Sequence, residues 1–354
     1  MKVKLEELIK VRTGKLDANA ANENGQYPFF TCSKEPLSIN TYSYDCECVL
    51  VAGNGDLNVK YYNGKFDAYQ RTYILESNSN KLYMPYLYFF MDKYVDTLRK
   101  QSIGGVIKYI KLENITNVSI ELPEIDNQKY ICNKIYKVKE LINKHKKIIS
   151  YLDTFIKARF VEMFGDINNY KVNIDVKKFK DICTVHQGLQ IPISDRKKEP
   201  GPNRYKYITI QYLNGKKEEE YIENPNNSVL CKAEDILMTR TGNTGQVVTD
   251  VEGCFHNNFF IIDYNKKELN RIFLLTFLRQ KEVRDMMVKV ATTSTIPDLN
   301  HDKFYEIDIP IPTIDLQNTF ATFVNQVDKL KFDVQKSLEK TQMLFDSLMQ
   351  EYFG

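Results

Sequence analysis

The chain has 354 residues, 43% hydrophobic and 27% charged, with a net charge of only +3. That length exceeds what one hydrophobic core commonly serves, so two domains are expected of an otherwise ordinary soluble globular protein. No apolar run approaches the ~18 residues of a membrane span, and the slight positive balance excludes a uniformly basic surface, so a DNA-binding face has to come from local clustering of charge.

The N-terminal "MKVKLEELIK" lacks the apolar core of a signal peptide. Seven cysteines (32, 46, 48, 132, 183, 231 and 254) form no Cys-x-x-Cys pair, and Cys46 and Cys48 have no partner pair at zinc-finger spacing. They read as reduced thiols, and the chain as cytoplasmic.

Taken in order, short strands are expected at 49–52 and 73–75, then an apolar helix over 82–99 and a strand in "NVSIELP". A long helix follows from Pro123 to Gly165, with a mostly apolar stripe in alternating steps of 4 and 3: Ile131, Ile135, Val138, Ile142, His145, Ile149, Leu152, Ile156, Arg159 and Met163. It opens after a Pro and an Asp and closes on Gly. Further on come strands at 236–239 and 260–262, a helix over 269–290, and a strand in "EIDIPIP". A second long helix carries the matching stripe Phe320, Val324, Val327, Lys331, Val334, Leu338, Thr341, Phe345, Leu348 and Tyr352.

These two halves are one pattern used twice. Pro123, Ile125, Asp126 and Gln128 recur as Pro312, Ile314, Asp315 and Gln317, each 189 residues on. Upstream the correspondence is looser. "LEELIKVRTGKL" parallels "KFKDICTVHQGL", "CVLVAGNGDLNV" parallels "DILMTRTGNTGQV", and "DAYQRTYIL" parallels "CFHNNFFII". The offset is 174 at Gly14 and Gly188 but 187 at Gly55 and Gly242. The second copy therefore holds 13 extra residues, expected in or near the basic stretch "SDRKKEPGPNRYKY". The chain reads as globule 1–122, helix 123–165, globule 166–311 and helix 312–354. Neither helix can bury its stripe alone, and each is the natural partner of the other.

With these residues in place, the chain resembles the specificity subunit of type I restriction–modification systems. The resemblance covers the whole chain. It rests on Gly14 and Gly188, "DILMTRTGNTGQV", "TSTIPDLNHDKFYEIDIPIP", the openings "LPEIDNQ" and "IPTIDLQ", and the closings "FVEMFG" and "QEYFG". It implies an α+β chain of two mixed α/β target-recognition domains, each followed by a long helix. The two helices would pack as an antiparallel coiled coil with pseudo-two-fold symmetry. It also implies a non-catalytic subunit that reads a bipartite, asymmetric sequence in double-stranded DNA, one domain per half-site. The helices would dock two DNA adenine methyltransferase subunits. The cofactor, S-adenosylmethionine, belongs to that partner and none to this chain. Translocase–nuclease subunits join when the complex restricts.

Phosphate contacts need Lys or Arg, and base contacts need paired donors or acceptors. The candidates in or beside predicted turns are Arg12, Lys15, Lys60, Lys65, Arg71 and Lys108 in the first globule. In the second they are Gln190, Arg196, Lys197, Lys198, Arg204, Lys206, Arg240 and Asn243. The bland reading of each is a solvated surface cation. Gly53, Gly55, Gly242 and Gly245 fit no Walker or dinucleotide loop and are read as tight turns. Tyr61, Tyr62, Tyr69 and Tyr73 are either packing residues or stacking platforms for bases. Lys137, Lys139, Lys144, Lys146 and Lys147 make one helix face basic. Two rival readings stay open. A coiled-coil scaffold would bind proteins only. A stand-alone DNA-modifying enzyme would need motifs that "ENPNNS" and "PDLNHDK" match poorly.

Overall fold

The computed structural model describes residues 2–166, 169–171, 173–291 and 297–354. Two compact units divide the chain: Met1–Lys147 with Val334–Gly354, and Ile148–Asp333.

The first unit is built on a six-stranded sheet. Its spatial order is Ile9–Thr13, Thr72–Ser77, Tyr44–Ala52, Val59–Ala68, Tyr27–Phe30 and Leu37–Ile39. All neighbours run antiparallel except Tyr27–Phe30, which lies parallel to Val59–Ala68. The central strand ends in "CVLVA", buried on both faces, which is why this unbroken apolar run sits mid-sheet. Helix Met84–Gln101 has Pro85 in its first turn, where a missing N–H costs nothing, and lays Leu87, Phe89, Met91 and Leu98 into the same core.

The second unit repeats this plan in pieces. One sheet runs Cys183–Gln187, Phe259–Tyr264, Leu237–Thr239, Val247–Val248; another runs Tyr221–Glu223, Arg204–Ile208, Gly253–Phe255, Leu230–Cys231. The counterpart of Tyr44–Ala52 is split by a turn in which Asp235 accepts from the Lys232 N–H. That of Val59–Ala68 is split near Asp250, which stands at φ 62. Asp favours such turns, and neither break has an equivalent in the first unit's strands. The expected single helix over 269–290 is likewise two, Arg271–Leu278 and Lys281–Val290, because Gln280 adopts an extended backbone between them.

Beneath the differences the backbone bonding is the same. Gly14 N–H donates to Thr72 O as Gly188 N–H does to Phe259 O, and Gly53 N–H donates to Arg71 O as Arg240 N–H does to Asn258 O. Tyr69 N–H donates to Phe30 O as His256 N–H does to Ile208 O. Both Gly14 and Gly188 pack with no room for a side chain. A Cβ would meet Ala68 O at 2.2 Å in one and Phe255 O at 2.2 Å in the other. This register corrects the expected site of the extra residues. Phe30 answers to Ile208, 178 residues on, against 174 at the glycines and 187 at Gly53 and Arg240. Only four of the 13 therefore precede Ile208. The other nine follow it. Ile39 answers to Ile222, 183 residues on, so five lie in the hairpin that returns along Tyr221–Glu223, whose longer loop carries a helical turn at Ile210–Leu213, and four lie between that strand and Arg240.

Each long helix is fastened to its unit by a buried glutamine, the last residue of the repeated opening motif. Gln128 Oε1 accepts from Tyr83 N–H at 2.9 Å, and its Nε2 donates to Lys81 O (2.7 Å) and Pro123 O (2.8 Å). Gln317 accepts from Asn270 N–H (2.8 Å) and donates to Glu268 O and Pro312 O (2.8 Å each). Both side chains are fully buried, so each bond replaces water that cannot reach the site.

The helices themselves run Ile125–Phe164 and Ile314–Phe353, 40 residues each, or about 60 Å at 1.5 Å per residue. Every stripe position expected from the sequence is buried or half-buried. In the second unit the helix segments run antiparallel: Phe155 meets Phe323 (5.1 Å), Phe160 meets Phe320 (5.5 Å), and Lys331 pairs with Asp153 at 2.5 Å. In the first, Met349, Phe345, Leu348 and Tyr352 pack against the core that holds Ile131 and Ile135.

Candidate nucleic-acid interface

Most of the candidate cations lie at the ends of sheet strands, where loops from several elements meet. In the first unit, turns 14–17, 53–58 and 69–71 are tied edge to edge by backbone bonds, and Asn58 Nδ2 donates to Cys32 O to hold 31–35 beside them. Arg71 sits there, exposed, with its carbonyl held by Gly53 N–H at 2.8 Å. Lys15 and Lys108 lie on the same rim: Lys15 N–H donates to Ala68 O, and Gly55 N–H donates to Lys108 O at 2.9 Å. None of these three cations makes an ion pair among the described residues. Lys65, three residues before the end of strand Val59–Ala68, lies over the Tyr42 ring at 4.6 Å.

Two candidates of this unit are committed elsewhere. Arg12 pairs with Glu76 at 2.6 Å, lies 5.0 Å over the Tyr44 ring, and donates to Cys46 Sγ. Lys60 is half-buried, bonded to the Asn58 side chain, and its pKa is lowered by that burial. Of the tyrosines, Tyr62 is packed against Phe30 and Phe66, and Tyr61 and Tyr73 cover the main core, so these three are packing residues.

In the second unit the basic stretch is laced by acids. Arg196 pairs with Glu220 at 3.0 Å, donates twice to Ile191 O, and lies 5.0 Å over Tyr207. Arg204 pairs with Glu223 (3.4 Å) and Lys206 with Glu219 (2.6 Å). No local sequence signal marks these acids as partners of the cations. Glu219, Glu220 and Glu223 of "KKEEEYIE" lie 13 or more residues downstream of the cations they meet, and only the hairpin register brings them opposite. Lys197 and Lys198 make no ion pair among the described residues; Lys198 is exposed and Lys197 half-buried.

Arg240 holds Asp298 bidentately, with Nη2 to Oδ2 at 2.6 Å, and that carboxylate raises its already high pKa. Thr244 Oγ1 donates to Pro297 O beside it. The part of "TSTIPDL" at 293–296 lies outside the described residues. Asn243 is exposed, touches Gln246 and receives a bond from Arg284, while Gln190 accepts from Asn257 at 3.4 Å. Of the four glycines read as turns, Gly55, Gly242 and Gly245 stand at φ 68, 85 and 76, while Gly53 follows the strand end and donates its N–H to Arg71 O.

All seven cysteines are free thiols, and burial pushes Cys132, Cys183 and Cys231 up to about 12. No helix is long and apolar enough to cross a membrane among the described residues.

Comparisons with known proteins point one way. A family model described as the type I restriction modification DNA specificity domain matches residues 1–155 and again 171–342. The specificity subunit of the type I restriction enzyme EcoDI, from Escherichia coli, is 44% identical over 133 residues. That match spans 38% of this chain and 30% of the relative, so the chain aligns with less than a third of that protein's length. Among solved structures, the S subunit of a type I restriction–modification system from M. genitalium covers all of this chain and 96% of its own, at TM-score 0.60 and 15% identity. A chain from a structure on complex assembly and conformational transition of the type I R-M system covers all of this chain and 97% of its own, at TM-score 0.62 and 14% identity. These structural likenesses bear on fold. The double family match spans nearly the whole chain, once for each repeat, and the chain belongs to the family of type I restriction–modification DNA specificity domains.

Proposed function

We propose that this chain is the non-catalytic DNA-recognition subunit of a type I restriction–modification complex in the cytoplasm. The observation that carries the proposal is the family match to both repeats, with a shared hydrogen-bond frame whose strand ends bear unlike side chains. Each domain, 1–122 and 166–311, reads one half of a bipartite asymmetric site in double-stranded DNA. The helices 123–165 and 312–354 set the spacer and dock two adenine methyltransferase subunits. Those subunits bind S-adenosylmethionine, and translocase–nuclease subunits join them in restriction.

The cations most available to DNA are those without acidic partners among the described residues: Lys15, Lys65, Arg71 and Lys108 in one domain, Lys197 and Lys198 in the other. Gln190 and Asn243 supply amide groups for base edges. Arg12, Arg196, Arg204, Lys206 and Arg240 shape the loops through their acid partners. Lys60 does so through the Asn58 amide.

Exchanging residues 168–310 for the matching segment of another such subunit, then mapping methylated adenines across the genome, tests the assignment. One half of the motif changes and the other persists; two persisting halves would reject the modular reading. Insertions in either long helix change the spacer, and an unchanged spacer removes the helices from that role.

A further inference from the structure

Between Gln101, where helix Met84–Gln101 ends, and Ile110, the chain forms a short finger. Two backbone bonds close its neck: Ile103 N–H donates to Tyr109 O (3.0 Å) and Tyr109 N–H to Ile103 O (2.9 Å). Gly104 stands at φ 114, and a Cβ there would meet Ile107 O at 2.6 Å, so the loop is shaped around a residue with no side chain. The finger is seated on the rim of the sheet, with Gly55 N–H donating to Lys108 O and Ile110 N–H to Gly53 O (2.9 Å each).

At the tip, Val106 is 103% exposed and Ile107 62%. Neither belongs to a core cluster. A bonded neck that holds two aliphatic side chains in water is not accounted for by folding, since their burial contributes nothing to this unit's core. What surrounds them selects the occupant. Lys108 adjoins the tip, and Arg71 lies across the Gly53–Gly55 turn. Both are exposed and free of ion pairs among the described residues, so the apolar tip is flanked by charge that favours a polyanion.

We propose that Val106 and Ile107 enter the major groove of DNA and contact thymine methyl groups, while Lys108 and Arg71 engage flanking phosphates. The proposal rests on the recognition role given above and names the groups that make one half-site contact. The groove follows from size. A two-chain finger fits the roughly 12 Å major groove but not the roughly 6 Å minor groove of unbent DNA. The thymine C5-methyl is the apolar feature that groove displays.

The test uses the chain within its methylating complex. Genome-wide maps of methylated adenines are compared for the native chain and for Val106→Ser with Ile107→Ser. Purified complexes are then titrated with duplexes carrying the mapped motif, each thymine in turn replaced by uracil, which removes only the methyl. The double variant relaxes the motif at A·T positions of one half-site and leaves the other half intact. The native complex binds about fourfold more weakly to uracil at those positions, the worth of one buried methyl, and the variant shows no such penalty. Lys108→Ala lowers the salt dependence and leaves the motif unchanged. Should the double variant melt earlier than the native chain, Ile107→Asn alone serves in its place. An unchanged motif with unchanged uracil penalties overturns the proposal, as does a loss spread evenly over every position. Absence of any motif with the native chain would overturn the recognition role itself, and this proposal with it.

Discussion

The two units share a frame and differ at its rim. In the first, Tyr44–Ala52 and Val59–Ala68 form one continuous ribbon, and Lys15, Arg71 and Lys108 stand at its edge without an ion pair among the described residues. In the second, the same strands are each broken in two, and Arg196, Arg204, Lys206 and Arg240 are held by Glu220, Glu223, Glu219 and Asp298. What the units keep is bonding through backbone, glycine and one buried amide. What they change lies where strands end and side chains face solvent. A shared frame with unlike rims suits the proposed role of two unlike readers, because rim residues alter contacts without disturbing the ladder that positions them.

The sharpest way to break the comparison is at the paired glycines. Gly14→Val and Gly188→Val each force a side chain into a carbonyl 2.2 Å away. Each is expected to cost more than about 3 kcal/mol and to unfold its own unit, as chemical denaturation reads. Next come the glutamines. Gln128→Leu and Gln317→Leu leave one N–H and two carbonyls unsatisfied at matching places. Equal losses of about 2–4 kcal/mol are expected, and clearly unequal ones would show that the frame is not shared in energy.

Arg240→Ala has no counterpart, because Gly53 occupies the matching position. It removes the bidentate pair with Asp298 and is expected to cost about 1–3 kcal/mol, while Gly53→Ala strains its unit for a different reason, a Cβ 2.4 Å from Arg71 O. The rim cations divide more subtly. Lys15→Ala or Arg71→Ala should each lower the slope of log affinity against log salt by about 1. Arg204→Ala and Lys206→Ala should lower it less, since their charge is already offset by Glu223 and Glu219.

Acid sensitivity gives the smallest effect. Hydrogen bonds from Lys178 and Lys180 hold the Glu306 carboxyl down at about 2. A depressed carboxyl stabilises the fold above its unfolded pKa near 4.5, and that contribution fades as pH falls toward 2. Glu306→Gln should flatten this limb of the acid melting curve only slightly, because the pair is exposed to solvent. Its counterpart in the first unit is Asn117, so the effect belongs to the second unit alone.

Much of this was legible in the residues. The helix stripes were, because a 3.5-residue apolar period has one physical meaning on a long uninterrupted helix. The repeat was also plain from Gly14, Gly188, Gln128 and Gln317, whose roles tolerate no other side chain. The partners of the basic residues were not. Glu219 and Glu220 are far in sequence from Arg196 and Lys206, and only strand pairing brings them together. Nor was the finger at 103–109, whose "GGVI" reads as an unremarkable apolar stretch until its exposure is seen.

The sequence alone therefore determined a doubled frame and two long amphipathic helices, since periodicity and obligatory small residues are local properties of the chain. Only the tertiary structure decided which cations remain uncommitted. That depends on the register of distant strands, and a charge is neutralised by whatever the fold sets within a few ångströms of it, not by its neighbours along the chain.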